Sequence, residues 1–361
     1  MTTKHNFVVL GLMSGTSLDG VDLALCHFTG DNNEWTYSIE AARTIPYSNE
    51  WKNRLIAAET FPGIDLLLLH KTYGAFLGEL AHTFLKERKA VPHFIASHGH
   101  TIFHQPEKKL TFQLGDGASI AATTRITTIS DFRSLDVALG GQGAPLVPIG
   151  DELLFHEYNQ CLNLGGFANI SFSEKGSRKA YDICSVNLIL NYLAAKYCNT
   201  PYDKNGSIGR SGKVNHALLD QLNKLGYFEQ KPPKSLSREW VVKNMLPLIE
   251  SQELTIPDKL RTVYENIAVQ LTKVINATPG NNILVTGGGA YNIFLVELIK
   301  EKTRMNIIVP DKMVIDFKEA LIFAFLGVLR FLDIPNCLAS VTGAKKDNLG
   351  GVIFNVSTFQ P

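Results

Sequence analysis

A chain of 361 residues, 45% hydrophobic and 19% charged, has the composition of a globular protein long enough for two domains. Lysine plus arginine (35) balance aspartate plus glutamate (34), so no global field attracts nucleic acid or an anionic membrane, and an anion site has to be local. Cys26, Cys161, Cys184, Cys198 and Cys337 are scattered without a C-x-x-C pair, which excludes a disulfide framework or zinc knuckle; with no signal-like or membrane-length apolar run, a cytoplasmic location is expected.

Apolar runs alternate with helical periodicity along the chain, the α/β pattern. The first strand, 7–12, is followed by MSGTSLDG and a second strand, 21–28. Backbone N–H groups around Gly15 and Gly20, with the hydroxyls of Ser14, Thr16 and Ser17, form a concave donor surface suited to phosphate. No lysine follows the glycines and there is no G-x-G-x-x-G, so neither standard nucleotide loop is present. Asp19 and Asp22 would repel a bare phosphate but suit an intervening Mg²⁺ ion or sugar hydroxyl; the alternative is an Asp-capped hairpin turn.

A helix over 64–88 leads to a strand at 94–97 and then SHGHTIFHQP. The His98 and His100 pair could begin a metal-hydrolase site, but the remaining histidines do not recur beside acids at strand ends, so hydrogen-bonded histidines are the expectation for His98, His100 and His104. A strand at 127–131 precedes SDFR, which carries Arg133; Lys234 and Arg238 are the other basic residues beside polar turns. GGQGAPLVP (140–148) marks the domain boundary by its glycine and proline content.

Strands at 160–164 and 168–172 enclose NLGG and repeat the strand, glycine turn, strand pattern of 7–28, which suggests two related lobes facing a cleft. Asp182 ends a strand at 180–183 ahead of a helix from about 187 and reads as a general base or as that helix's N-cap. Helices at 217–227 and 257–277 precede a strand at 283–285 and TGGGAYN, where Gly287, Gly288 and Gly289 permit close approach of a nucleotide at the helix 292–302 or merely tight packing. A strand at 307–309, a helix at 318–332 and the tail SVTGAKKDNLGGVIF close the chain, the tail packing on the first lobe. Seven polar turns after apolar strands, MSGTSLDG, SHGHT, LGDG, SDFR, NLGG, YDIC and TGGGAYN, imply one shared ligand cleft.

GLMSGTSLDGVDLAL, SHGHTIFHQP, LGDGASIA, SDFRSLDVALGGQGAPLVP, NLGGFANIS, TGGGAYN and SVTGA, in this order, closely resemble the anhydro-N-acetylmuramic acid kinase family. The resemblance implies a two-lobed α/β fold of the actin-like ATPase and sugar kinase (ribonuclease H-like) type. Its lobes would span 1–135 with 336–361, and 136–335. It implies ATP and Mg²⁺ as cofactors, and an activity that opens the 1,6-anhydro bridge of anhydro-N-acetylmuramic acid with water while phosphorylating the released 6-oxygen, in cell-wall recycling. By the same resemblance Gly15, Thr16, Ser17, Leu18, Asp19, Gly20, Val21 and Asp22 cradle the ATP phosphates, with Gly165, Gly166, Gly287, Gly288 and Gly289 completing the nucleotide site. Ser14, Asp19, Arg133 and Asp182 then meet the sugar, Asp182 as the base, and Glu319 stands near the metal.

The family's D-T-G-P-G-N is here Asp182-Ile-Cys-Ser-Val-Asn187, its K-S-T-G-R-E is Lys234-Ser235-Leu236-Ser237-Arg238-Glu239, and its S-H-G-Q-T has His100 for Gln. The rival readings are a catalytically impaired relative that senses sugar or nucleotide, and a metal-dependent hydrolase using His98 and His100. No nucleic-acid or membrane partner is expected, and a homodimer stays open.

Overall fold

The computed structural model describes residues 4–15, 17–31 and 34–356. The chain divides into two compact units, Met1–Leu154 with Phe317–Pro361, and Phe155–Asp316.

In the first unit, β1 (His5–Ser14), β2 (Gly20–Gly30) and β3 (Trp35–Pro46) form an antiparallel meander. Next, β4 (Phe94–Gln105) joins the other side of β1 in parallel, carries β5 (Leu110–Leu114) on its far half and is followed in parallel by β6 (Thr128–Ser130). The second unit repeats this plan: β7 (Gln160–Leu164), β8 (Phe167–Glu174) and β9 (Ser177–Ser185) are antiparallel, and β10 (Asn282–Thr286) and β11 (Asn306–Ile308) extend the β7 side in parallel. Finally β12 (Val352–Phe354) returns to pair with β6. The two sheets therefore run β3-β2-β1-β4-β6 and β9-β8-β7-β10-β11, one topology used twice. The repeated hairpins seen in sequence are the first two strands of each.

The central strands read as continuous apolar runs because both of their faces are covered. In β1, Val9, Leu10 and Leu12 are buried, as are Leu162 and Leu164 in β7. Helix Ile256–Ala277 is capped by Thr255, carries Pro257 in its first turn, and buries Leu260, Val263, Ile267 and Leu271 in the second unit's core. All five cysteines are free thiols. Among the described residues no helix is long and apolar enough to cross a membrane.

Three features differ from the sequence reading. Strand β3 was not expected: WTYSIEAARTIP alternates buried and exposed positions, as an edge strand with one solvated face should. SHGHT lies inside β4 rather than after it, because β5 pairs with the extension; Gly99 (φ 74°) accommodates an irregularity where a Cβ would come within 2.2 Å of the Leu114 carbonyl oxygen. The unit boundaries fall at 154/155 and 316/317, not near 135 and 335. Residues 136–154 and 317–335 go with the first unit because their side chains build its core. Phe325 packs on Phe28 and Trp35, Phe323 packs on Phe132, and a Cβ on Gly150 would strike Ile322.

The helix Val147–Leu154 is also tied to Lys312–Phe331 by an ion pair, Lys318 Nζ to Asp151 Oδ1 at 2.6 Å, with both side chains almost wholly buried. Removing one partner takes its opposite charge away from a buried ionised group. Lys318→Met should therefore cost about 3–5 kcal/mol in denaturant unfolding, and adding Asp151→Leu should recover most of it. Equal stability of the single variant and the wild type would show that the pair does not bind these helices.

Candidate active site

The turn between β1 and β2 is short and held from within. Leu18 N donates to the Gly15 carbonyl (3.3 Å), Leu18 takes a left-handed φ of 59°, and Tyr47 N donates to the Asp19 carbonyl (3.4 Å). Ser17 and Asp19 are exposed, whereas the Val21 side chain is core, so only its backbone can meet a ligand. Thr16 lies outside the described residues.

The glycines separate by what a side chain would meet. A Cβ on Gly20 would lie 2.3 Å from the Ile45 carbonyl oxygen, and Gly287 and Gly289 are equally closed, by Asn163 Oδ1 at 2.4 Å and Leu164 Cβ at 2.7 Å. These three are glycine because the fold fills the space. Gly15 meets only Ser17 Oγ at 3.5 Å, Gly166 only Leu188 Cβ at 3.9 Å, and Gly288 only Asn187 Nδ2 at 3.7 Å. The fold does not require glycine there, and the open space beside the backbone is what a phosphate would use. Gly165 is intermediate, at 3.3 Å from Asn163 Nδ2.

In the second hairpin the Gly165 and Gly166 carbonyls are turned toward the helix Asn187–Cys198. Val186 N and Leu188 N donate to Gly166 O (2.9 and 3.2 Å), and Asn187 N donates to Gly165 O (3.2 Å). Asn187 Nδ2 adds a bond to Leu164 O at 2.9 Å. In a planar trans peptide the N–H lies opposite its C=O, so the N–H groups of Gly166 and Phe167 point away from the helix, the orientation an anion needs.

Ser14, at the end of β1, sits in a buried chain of hydrogen bonds. Its Oγ lies 2.8 Å from His100 Nδ1 and 2.5 Å from Tyr47 Oη, which in turn lies 2.5 Å from Tyr73 Oη. Burial lowers His100 to about 4, so this chain is uncharged at neutral pH. His98 Nδ1–H donates to the Gly99 carbonyl (2.9 Å), and its Nε2 accepts from Arg133 Nε (2.9 Å). Both ring nitrogens are engaged, and burial with Arg133 alongside keeps the ring neutral. His104 bonds Thr111 Oγ1 at 3.1 Å. Among the described residues no group of three His, Cys, Asp or Glu side chains is placed to hold a metal ion.

Arg133 donates its Nη1 to the Gly143 carbonyl at 2.5 Å and lies over the Phe323 ring, 5.7 Å from its centroid. Burial lowers it to about 10, still cationic. Glu319 keeps exposed surface within a dense surround that raises its carboxyl; Arg133 and Lys318 draw it down and Asp22 pushes it up. Glu319 thus senses both Arg133 and Asp22, residues far from it in sequence, in the first unit. Asp22 Oδ1 also accepts from Thr44 Oγ1 at 2.5 Å.

Asp182 lies within β9 opposite Asn169, beside a register irregularity, with three strand residues still to follow. It does not cap the next helix, whose N-cap is Val186. Its carboxylate accepts from Leu236 N at 2.9 Å and its carbonyl from Tyr227 Oη at 2.7 Å, while its N donates to Lys234 O at 3.3 Å. Burial raises its carboxyl, partly offset by the Leu236 bond. The Lys234 ammonium bonds the Tyr227 carbonyl at 3.1 Å and lies over that ring, and Arg238 opens the helix Arg238–Asn244.

Sequence reading missed Asp136, which is 0% exposed and joins three segments of the first unit. Its only signal was a second aspartate three residues beyond Arg133 in SDFRSLD.

Two α/β units of one topology, each with a glycine hairpin on its first strand, define an actin-like ATPase and sugar kinase fold. A profile of the family described as anhydro-N-acetylmuramic acid kinase matches residues 7–356. The anhydro-N-acetylmuramic acid kinase of Vibrio cholerae serotype O1 is 36% identical over 96% of this chain and 97% of its own length; that of Sulfurimonas denitrificans is 32% identical over 96% and 98%. A solved structure, the activator of 2-hydroxyisocaproyl-CoA dehydratase from Clostridium difficile with bound ADPNP, is loosely similar, at 15% identity and a TM-score of 0.43 over 90% of this chain and 97% of that one. The chain belongs to the anhydro-N-acetylmuramic acid kinase family.

The two kinds of glycine predict opposite responses. Gly166→Ala and Gly288→Ala should melt with the wild type, whereas Gly20→Ala and Gly289→Ala should lose about 1–3 kcal/mol to overpacking, as read by thermal denaturation.

Proposed function

We propose that this chain uses ATP and water to open the 1,6-anhydro bridge of anhydro-N-acetylmuramic acid and to phosphorylate the 6-oxygen released, yielding N-acetylmuramic acid 6-phosphate and ADP in cell-wall recycling. Family membership over residues 7–356 supports the reaction class. The observation that carries the residue-level reading is Asp182, a strand carboxylate whose basicity burial increases and which caps no helix.

Asp182 takes the proton of a water attacking the anomeric carbon. The bond from that carbon to the bridging oxygen breaks, and its electron pair stays on the oxygen, which bonds the γ-phosphorus as the bond to the ADP oxygen breaks. Hydrolysis of a glycosidic bond ordinarily needs a second carboxyl group to protonate the departing oxygen. Phosphoryl capture takes that place, so one base suffices. Arg133 and Ser14 hold the sugar with Asp19. Backbone N–H groups of the turn between β1 and β2, beside Gly15 and Ser17, and the glycines 165–166 and 287–289, hold the nucleotide.

Magnesium fits the residues present: Glu319 and Asp22 offer hard carboxylate oxygens that repel one another, and Mg²⁺ takes one or two carboxylates together with phosphate oxygens and water rather than a full protein cage. When bound it neutralises phosphate charge; Glu319 and Asp22 would hold it.

Gly15→Val should keep the wild-type melting temperature and weaken ATP binding at least about tenfold in calorimetry, since the side chain enters space the fold leaves open. Unchanged affinity would remove the hairpin from the nucleotide site.

Asp182→Asn should lower kcat on the order of 10²–10⁴-fold with little change in ATP affinity, and in heavy-oxygen water the wild-type label should appear at the anomeric carbon and not in phosphate. The same variant carries a stability signature. Because burial raises the folded-state carboxyl above its ordinary value of about 3.9, the folded state holds the proton more tightly than the unfolded one. Ionised Asp182 therefore destabilises the fold at neutral pH, and this cost is relieved as pH falls through the raised value toward the ordinary one. Asp182→Asn should melt higher than wild type at neutral pH, and the advantage should fade across that acid window. Near wild-type turnover, or label in phosphate, would overturn the assignment.

A further inference from the structure

Asp136 is a carboxylate with no exposed surface whose hydrogen bonds come from two separate stretches of the first unit, the loop at Gly143 and the C-terminal segment at Thr342 and Asn348. Oδ2 accepts from Gly143 N at 2.8 Å; Oδ1 accepts from Thr342 Oγ1 and from Asn348 Nδ2, each at 2.8 Å. Gly141 is pressed against it so closely that a Cβ there would lie 2.2 Å from Oδ2, and Gln142 N donates to the Thr342 carbonyl at 2.8 Å. The distinctive GGQGAP and SVTGA stretches are thus folded around one buried charge.

Arg133 is three residues before Asp136, immediately ahead of the helix Ser134–Ala138. The two residues grip the same loop residue from opposite sides of its backbone: Asp136 takes the Gly143 N–H, and Arg133 Nη1 donates to the Gly143 carbonyl at 2.5 Å. Displacing Gly143 would leave the guanidinium without that carbonyl, held among the described residues by the His98 bond through Nε and by the Phe323 face, neither of which fixes the direction of its Nη groups. We propose that Asp136 is a positioning residue for Arg133, which, through Gly143, makes the orientation of the guanidinium depend on the C-terminal segment at Thr342 and Asn348. This rests on the reading of Arg133 as a sugar-binding residue. A planar guanidinium recognises oxygen acceptors through a rigid fork, so a tilt weakens sugar binding without touching the nucleotide.

The test uses steady-state kinetics of the full chain with anhydro-N-acetylmuramic acid and ATP. Thr342→Val deletes one hydroxyl to the carboxylate at nearly constant volume, and should raise KM for the sugar about tenfold while KM for ATP stays unchanged. Thr342→Ser keeps the hydroxyl and should restore the wild-type sugar KM. Asp136→Asn, which keeps shape and loses an acceptor, should shift the same constant in the same direction and stands in if Thr342→Val does not fold. In an Arg133→Lys background the Thr342→Val effect should vanish, because both changes act on one interaction. Equal shifts in both KM values, failure of serine to rescue, or full additivity with Arg133→Lys would overturn the positioning role while leaving Arg133 in the sugar site. An unchanged sugar KM in Arg133→Lys alone would instead overturn the reading of Arg133, and the inference with it.

Discussion

Both sheets are organised by a central first strand buried on both faces. Val9–Leu12 of β1 and Gln160–Asn163 of β7 are paired on both sides, with β2 and β4 in one sheet and with β8 and β10 in the other. Buried polar groups left unpaired are costly, so such a strand can present its backbone to a ligand only where it ends. The turns after Ser14 and Leu164 are these places, and duplication of the topology supplies two of them.

The glycines at those turns do two separate jobs. Gly20, Gly287 and Gly289 let chain segments approach until a side chain would collide, and so set the width of the turns. A Cβ on Gly15, Gly166 or Gly288 would meet only ordinary van der Waals neighbours among the described residues. In the second hairpin the carbonyls are tied to the start of the helix Asn187–Cys198, so amide direction is decided before any ligand arrives. These backbone bonds need no particular side chain, which explains how they are made although Ile183, Cys184, Ser185 and Val186 replace the family's usual residues between Asp182 and Asn187.

Polar groups around the first unit's site are fixed by neutral partners and by burial. His98 and His100 are held uncharged, His98 orienting Arg133 and His100 bonding Ser14. Asp182, in the other unit, keeps one backbone hydrogen bond to its carboxylate and is made more basic by its surroundings. The cost of burying these groups is met by the aliphatic cores beneath them, a common division between scaffold and site.

Much of this was legible locally. The apolar runs of β1, β2, β7 and β8 and the periodicity of Gly63–Arg88 and Ile256–Ala277 fix their elements through their own residues, and the two hairpins announce the repeat. What escaped depends on partners distant in the chain. WTYSIEAARTIP becomes a strand only because β2 lies beside it, and SHGHT continues β4 only because β5 pairs with it. The unit boundaries rest on Phe323, Phe325 and Ile322 packing with residues far earlier in the chain. Asp136 looks like any aspartate of a short helix until Thr342, 206 residues away, donates to it. Residue order determined the strands, helices and glycine turns, because short-range hydrophobic pattern and backbone sterics suffice for those. Only the tertiary structure decided which glycines are spacers, which histidines are neutral and which carboxylate organises the arginine, because burial and long-range hydrogen bonds, rather than residue type, set those properties.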